Sequence, residues 1–218
     1  MAFRIALKEE IEKYILGHLP NEEWYNEHFY PFIDDLKLRE RLIIEYKNAR
    51  AIYKFFEGMQ AENELLLAQI KIQVIMFVSI QEAVINYVLF TAMKSKIEVQ
   101  ALLIQERLVK IDIPEQKQKK ISLELEHDDK KIVTCFYKEQ KVDITKIRYD
   151  QKIKVVKELG LISEKLAGDL IQLYEYRNTI HIEAEMKKNL TYDLEMGELA
   201  YRRVEGLNIE LVNNFFNS

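Results

Sequence analysis

The chain has 218 residues, of which 48% are hydrophobic and 31% are charged, and its formal net charge is −4. This balance is typical of a globular protein and excludes an intrinsically disordered chain. The single cysteine, Cys135, excludes a scaffold held by intrachain disulfides. Six glycines and three prolines are few for this length, which favours long helices over a many-stranded sheet.

The first 60 residues are predicted to form a helical N-terminal extension. Apolar positions recur at helical spacing in residues 3–16, and Gly17 can end that helix. An aromatic stretch, Trp24 to Phe32, is either a short helix or an ordered loop, and a longer helix is predicted from Ile33 to Phe56, with Gly58 as its stop. The chain does not open on the apolar stretch of a signal peptide, so we expect a cytoplasmic protein.

The segment from Glu62 to Lys94 is the most hydrophobic part of the chain and is apolar on nearly all sides. A helix of this kind is buried either in a protein core or in a membrane. Glu82 lies within the apolar segment, and a carboxylate there is costly in lipid. We therefore expect the central helix of a soluble core, with no membrane as a partner.

The strand signal of the sequence follows a further predicted helix, Glu98 to Val109. Residues 121–125 alternate between apolar and polar, and Ile132 to Tyr137 is rich in β-branched and aromatic residues. His127 to Lys130, between them, is typical of a turn. The pattern predicts a small β-hairpin insertion at about residues 120–138, which must pack on helices or on a partner, because a lone hairpin is marginal in water.

Three further helices are predicted after the insertion. The first spans Tyr149 to Leu159 and is ended by Gly160. The second begins at Ser163, a good N-cap, and runs to about Lys188. The third covers about Leu194 to Phe216.

The helix after Ser163 carries the candidate site. If it is continuous, Arg177, Asn178 and His181 share one arc that overlaps the apolar stripe of the helix. A guanidinium, an amide and an imidazole then meet the edge of the core, where polar groups require partners. One interpretation is a structural cluster in which Arg177 pairs with a carboxylate and His181 bonds to backbone. The other is a functional site.

These residues also carry a family resemblance. The stretch Glu158-Leu159-Gly160-Leu161-Ile162, the leucines at 166, 170 and 173, and Tyr176-Arg177-Asn178-Thr179-Ile180-His181 together resemble the C-terminal half of HEPN domains (higher eukaryotes and prokaryotes nucleotide-binding). Residues 82–89 resemble the earlier core helix of such domains. The resemblance covers roughly residues 65–93 and 148–188. This sequence departs from the family in having three residues between Arg177 and His181, where HEPN domains have four to six.

The resemblance implies an all-α, up-and-down bundle of four or five helices over residues 61–218, with the hairpin as an insertion and the whole chain as one compact unit. It also implies a homodimer in which two Arg-Asn-His segments face each other across a two-fold axis. Many HEPN proteins are metal-independent ribonucleases in toxin–antitoxin or anti-phage systems, whereas others are inactive and bind nucleotides or partners. We therefore expect an RNA endonuclease that uses no cofactor, with RNA and an antitoxin or another protein as partners. A catalytically inactive interaction module is the alternative.

Roles for individual residues follow from the resemblance. His181 would act as general base or acid on the ribose 2′-hydroxyl, because imidazoles titrate near neutral pH. Arg177 would hold the phosphate, and Asn178 would orient either group. Three residues are candidates for supporting the site from neighbouring positions: Glu82, Asn86 and Tyr174. Four cations either steer RNA toward the site or only interact with solvent at the surface: Lys146, Arg148, Lys152 and Lys154.

The alternatives differ in what they require of the local structure. An active site leaves Arg177 and His181 open to a cleft. An inactive module locks both side chains onto carboxylates such as Glu183 or Glu185 and seals them from solvent.

Overall fold

The computed structural model describes residues 3–125, 130 and 132–215, and most of these residues are helical. This confirms the predicted all-α class with a small antiparallel sheet, while the HEPN type stays a prediction. The elements are, in chain order, α1 (Ile5–Leu16), α2 (Glu22–His28), α3 (Leu36–Gly58), α4 (Asn63–Tyr87), α5 (Ile97–Leu102), β1 (Ile104–Lys110), α6 (Glu115–Glu124), β2 (Cys135–Lys141), α7 (Tyr149–Glu158), α8 (Glu164–Asn178), α9 (Ile182–Lys188) and α10 (Leu194–Phe215).

The chain divides into two compact units, whereas the sequence analysis expected one. The bundle unit contains the described residues of 1–93 and 149–218, and the sheet unit contains those of 94–148. The first 60 residues are part of the bundle unit, since α3 packs along α4. A separate N-terminal extension is therefore not what the fold shows.

Helix α4 is the centre of the bundle unit, as its composition predicts. It packs against α3, α7, α8 and α10, and its Val74, Val84 and Ile85 are fully buried. The helix continues as a single π-helical turn, Val88–Ala92. The segment Asn63–Ala92 is long and apolar enough to cross a bilayer, but more than half of its most apolar window is buried inside the protein.

Buried amides tie α4 to its neighbours. The Nε2 atom of Gln73 donates to the carbonyl of Ala49 on α3, and that of Gln81 donates to the carbonyl of Ala200 on α10, each over 2.9 Å. Both glutamines are almost completely buried. Because buried polar groups require partners, these bonds explain how polar residues are accommodated in the most hydrophobic helix of the chain.

The N-terminal aromatic stretch is integrated into the core. Its first part is α2, and the residues after α2 form a turn. Tyr25, Phe29 and Tyr30 are buried, and the hydroxyl of Tyr30 donates to the carbonyl of Val204 on α10 over 2.9 Å. This contact joins residues that are 174 positions apart, and it explains why the first 60 residues are inseparable from the bundle.

The sheet unit corrects three predictions. The helix predicted from Glu98 to Val109 ends at Leu102, and β1 follows it. The predicted strand at 121–125 lies mostly in α6, where the Lys, Gln and Glu residues that precede it are good helix formers. The antiparallel partner of β1 is β2, so the connection between the strands contains a helix and the sheet is not the hairpin expected at about 120–138. The predicted turn, His127 to Lys130, lies almost wholly outside the described residues.

The predicted continuous helix from Ser163 to Lys188 is also wrong. Ser163 caps α8 as expected, its Oγ accepting from the amide of Leu166, but α8 ends at Asn178 and α9 begins at Ile182. Thr179 and Ile180 are β-branched and poor helix formers. The Thr179 hydroxyl donates to the carbonyl of Tyr176 over 2.7 Å and lies 3.0 Å from the hydroxyl of Tyr192. This buried side-chain bonding stabilises the end of the helix at this point.

Candidate functional site

Arg177 and Asn178 form the last turn of α8. The Nη1 atom of Arg177 donates to Oδ1 of Asn178 over 3.2 Å, and its guanidinium lies over the ring of Tyr174, 5.5 Å from the ring centre. Arg177 is half-buried and Asn178 is exposed. The guanidinium is therefore positioned by an amide and an aromatic face, without a carboxylate partner among the described residues.

His181 lies outside both helices. It is the N-cap residue of α9 with extended backbone angles (φ −70°, ψ 129°), and its side chain makes no capping hydrogen bond. The residue is exposed, and no hydrogen bond or ion pair joins its imidazole to the described residues. The helical spacing that was to place His181 beside Arg177 does not apply, because Thr179 and Ile180, which lie between them, are not helical. A turn at residues 179–180 joins the end of α8 to His181.

Helix α9 combines an anchored side with an exposed apolar side. Glu185 pairs with Lys71 of α4 over 2.6 Å, which holds α9 on the bundle. Ile182 and Met186, one helical turn apart, are 76% and 77% exposed. An apolar patch therefore lies next to His181.

A polar cluster lies between α4, α7 and α8, and it contains the three residues expected to support the site. Tyr174 stacks on Tyr149, with ring centres 4.3 Å apart, so that Arg177, Tyr174 and Tyr149 form a continuous series of contacts. Burial raises the pKa of both phenols, and the negative charge of Glu82 raises each further. Asn86 accepts a hydrogen bond from Lys152 over 2.9 Å. Glu82, Asn86 and Tyr174 thus belong to one cluster with Arg177.

Lys152 is buried in this cluster, contrary to its predicted role as an RNA-steering cation. Only 3% of the residue is exposed, and its Nζ atom lies 5.7 Å from the ring centre of Phe90. The reason is visible in α7, where Tyr149, Lys152, Ile153 and Val156 occupy the spacing of a buried stripe. This spacing was the sequence signal for the burial of Lys152 and for the participation of Tyr149, and both were missed.

Lys152 should make the stability of the protein depend on pH in the alkaline range. Burial lowers the pKa of its ammonium group below the usual 10.5, and Glu82 only partly opposes this shift. As pH rises, the folded protein releases the proton before the unfolded chain does. The free energy of unfolding therefore increases with pH between the lowered pKa of the folded protein and the usual 10.5, and this gain is lost when the pH is brought back below the lowered pKa.

Replacement of Lys152 by methionine should remove this part of the pH dependence. The measurement is the thermal midpoint of unfolding from about pH 8 to the usual lysine pKa, by circular dichroism. Lys154→Met is the matched control, because Lys154 is exposed on the same helix and pairs with Glu158 over 3.7 Å. An identical pH profile for Lys152→Met and wild type would contradict the assignment.

The other predicted RNA-steering residues lie on the surface of their own units. Lys154 is exposed on α7 of the bundle unit, and Lys146 and Arg148 are exposed in the sheet unit. Lys146 closes a short 3-10 turn, Ile144–Lys146, whose first residues are capped by Asp143. Hydrogen bonds from the backbone and hydroxyl of Thr145 lower the pKa of the Asp143 carboxyl. Within the bundle unit, Lys152 is buried while Lys154 is exposed, so these two predicted cations do not share one surface.

A cleft of about 300 Å³ lies between α3, α4 and α10. Two of its cations are already paired, Lys54 with Glu57 and Arg202 with Glu198. The guanidinium of Arg50 lies over the ring of Tyr201 and donates to its hydroxyl. The charges of this cleft are therefore largely satisfied within the protein.

Within the described residues, no group of three or more His, Cys, Asp or Glu side chains is placed to hold a metal ion. Comparison with protein-family models, with curated proteins and with solved structures finds no match. The fold and the site together define a helical-bundle protein with an Arg-Asn turn and an exposed histidine next to an apolar patch.

Proposed function

We propose that the protein is an RNA endonuclease of HEPN type that needs no metal ion and acts as a homodimer. The observation that carries the proposal is the state of His181. Its imidazole is exposed and makes no hydrogen bond to the described residues, and only a two-residue turn separates it from Arg177 and Asn178 at the end of α8. An imidazole without a hydrogen bond or ion pair to the part of the chain that the structure describes is available for proton transfer.

Of the two carboxylates that were expected to silence the site, Glu185 has another partner, and no ion pair joins Glu183 to Arg177 or His181 among the described residues. Glu185 pairs with Lys71, and Glu175 lies 3.8 Å from Lys188. Arg177 and His181 are consequently left without an ion pair within the part of the chain that the structure describes. The inactive interaction module, the second candidate, requires these two side chains to be locked and sealed, and this arrangement does not favour it.

The homodimer would form through the apolar patch of α9 next to His181. A second copy that covers Ile182 and Met186 would remove two strongly exposed apolar side chains from water. In a symmetric dimer the same patch is used by both copies, so the contact brings the two His181 residues toward one cleft. The resemblance to HEPN domains supports this mode of association.

The chemistry requires only proton transfers and one displacement at phosphorus. One His181 takes the proton of a ribose 2′-hydroxyl, and the O2′ atom attacks the adjacent phosphorus to form a 2′,3′-cyclic phosphate. The bond from phosphorus to O5′ breaks, and the partner's His181 protonates the departing O5′. Arg177 stabilises the negative charge that develops on the phosphoryl oxygens, and Asn178 holds the guanidinium in place.

The direct test is incubation of the purified protein with a panel of single-stranded and structured RNAs in the presence of a chelator. We expect cleavage that persists in chelator and leaves 2′,3′-cyclic phosphate and 5′-hydroxyl ends. The matched substrate control is the same sequence with 2′-O-methyl riboses, which lacks the attacking hydroxyl and should stay intact. Cleavage of the methylated substrate, or none of any RNA in the panel, would refute the proposal.

A further inference from the structure

The register of the small sheet places like charges directly opposite each other. Arg107 of β1 faces Lys138 of β2, and Glu106 faces Glu139. Directly opposed side chains in an antiparallel pair lie close together, and like charges in such positions destabilise the pairing. None of these four residues forms an ion pair with a described residue. A sheet of two strands is marginal to begin with, so this arrangement is costly where stability is already low.

The two repulsive pairs lie on opposite faces, because side chains alternate along a strand. The cationic face also presents an exposed aromatic ring, that of Phe136, and the acidic face presents a more exposed one, that of Tyr137. The cationic face comprises Gln105, Arg107, Val109, Phe136, Lys138 and Gln140. The other face, called the acidic face for its opposed glutamates although it also carries two lysines, comprises Ile104, Glu106, Leu108, Lys110, Cys135, Tyr137, Glu139 and Lys141. Apart from Gln105, which is half-buried, all of these residues are exposed.

Two opposed cations that form no ion pair with a described residue, together with an exposed ring, form a surface for a ligand with negative charge and a planar face. Arg107 and Lys138 would both be neutralised by one backbone phosphate or by two neighbouring ones. Phe136, 46% exposed on the same face, offers a surface on which a base can stack. Proteins that bind single-stranded nucleic acids combine these two elements. A duplex hides the faces of its bases, and an acidic peptide need carry no planar group, so both fit this face less well.

We propose that the cationic face binds single-stranded RNA, with phosphates bridging Arg107 and Lys138 and a base stacked on Phe136. The inference rests on the proposed function in that it names how the substrate is held, but the surface lies in the sheet unit and uses none of the residues of the candidate catalytic site. Bound RNA would also relieve the repulsion between Arg107 and Lys138, which couples binding to the stability of the sheet.

The test measures binding to a probe that cannot be cleaved. A fluorescein-labelled, single-stranded 2′-O-methyl RNA of about 12 nucleotides is titrated with the full chain, and fluorescence anisotropy gives the Kd at several salt concentrations. Arg107→Gln/Lys138→Gln should weaken binding and reduce the slope of log Kd against log salt by about 1.4. Glu106→Gln/Glu139→Gln, the matched pair on the acidic face, should leave binding unchanged or make it tighter.

The aromatic contribution has its own matched pair. Phe136→Ala should weaken binding roughly 5- to 150-fold, the range for loss of one stacked base. Tyr137→Ala removes the larger and more exposed ring from the acidic face and should leave the Kd unchanged. Equal effects of the two alanine variants would overturn the inference.

A single variant separates a lost contact from a lost fold. Lys138→Glu converts a repulsive pair into an attractive one, so it should raise the thermal midpoint, by about 1 to 8 °C if the sheet unit sets the midpoint. The same change should weaken RNA binding. Weaker binding by a more stable protein cannot result from unfolding.

The outcomes for the two proposals are distinguishable. If probe binding depends on the cationic face but no natural RNA is cleaved, the nuclease proposal is refuted and the RNA-binding role of the face stands. If the protein cleaves natural RNA but substitutions on the cationic face do not change its affinity for the probe, the RNA-binding role of that face is refuted and the nuclease proposal stands. A labelled poly-glutamate peptide of matched charge serves as a competing ligand. If it binds as tightly as the RNA probe, and if its binding depends on the same cations but not on Phe136, the ligand is an acidic protein and the inference is overturned.

Discussion

Replacement of His181 by alanine should lower the rate of RNA cleavage by roughly 100- to 10,000-fold, the usual contribution of a general acid or base. The fold should be unaffected, because the imidazole makes no hydrogen bond to the described residues and caps no helix. The measurement is the single-turnover cleavage rate of a labelled RNA, with the thermal midpoint recorded for the same sample. A chemical role also predicts that His181→Gly regains part of the rate when imidazole is added.

The control for this variant is another exposed histidine. His18 is exposed, and its Nδ1 atom lies 2.7 Å from the carbonyl of Tyr14. His18→Ala should therefore keep full cleavage activity, and a small loss of stability is acceptable. If His181→Ala and His18→Ala cleave RNA equally well, His181 is not the proton-transfer group.

Charged residues on the apolar patch of α9 should separate the subunits, and the same variant should lose RNA cleavage. In Ile182→Asp/Met186→Asp, two carboxylates replace two side chains that are more than three-quarters exposed in the single chain, so the monomer should fold normally. A dimer contact at this patch would have to bury both charges without partners, which is strongly unfavourable. Sedimentation velocity should then show a monomer, and cleavage should fall roughly 100-fold or more, because one member of the acid–base pair is lost.

A matched pair of exposed apolar residues elsewhere on the bundle provides the control. Leu36 of α3 and Ile209 of α10 are 67% and 58% exposed. Leu36→Asp/Ile209→Asp introduces the same charge and removes comparable apolar surface, yet it should leave both the dimer and the cleavage rate intact. The dimer model is wrong if wild type sediments as a monomer while cleaving RNA, or if the α9 variant remains dimeric.

The candidate catalytic residues show which features of a site their spacing in the sequence can predict. The spacing of Arg177, Asn178 and His181 pointed to one locus, and the structure keeps them within one short segment. The mechanism expected for their proximity, neighbouring positions on one helix, was wrong, because α8 ends between them. The motif itself stays a prediction, since it requires that the side chains meet in an assembled site and does not require that one helix carries them.

Local physics determined most of the bundle from the sequence alone. Apolar periodicity predicted α1, α3, α7 and α10 to within a few residues, and the nearly uniform hydrophobicity of α4 predicted its central position. Helix ends were predictable where one residue decides them. Gly160 ends α7 with φ +73°, a conformation that costs glycine little, and Ser163 caps α8 through its own side chain.

Only the tertiary structure decided the features that depend on distant partners. Residues 104–110 form a strand because residues 135–141 pair with them, and Tyr192, which lies beyond α9, bonds to Thr179 where α8 ends. Lys152 is a typical surface residue by type, but the stripe on which it lies faces Asn86 and Phe90 of the central helix. Helix periodicity and caps are local and can be read along the chain, whereas strand pairing and the burial of a charge are set by residues that only the folded chain brings together.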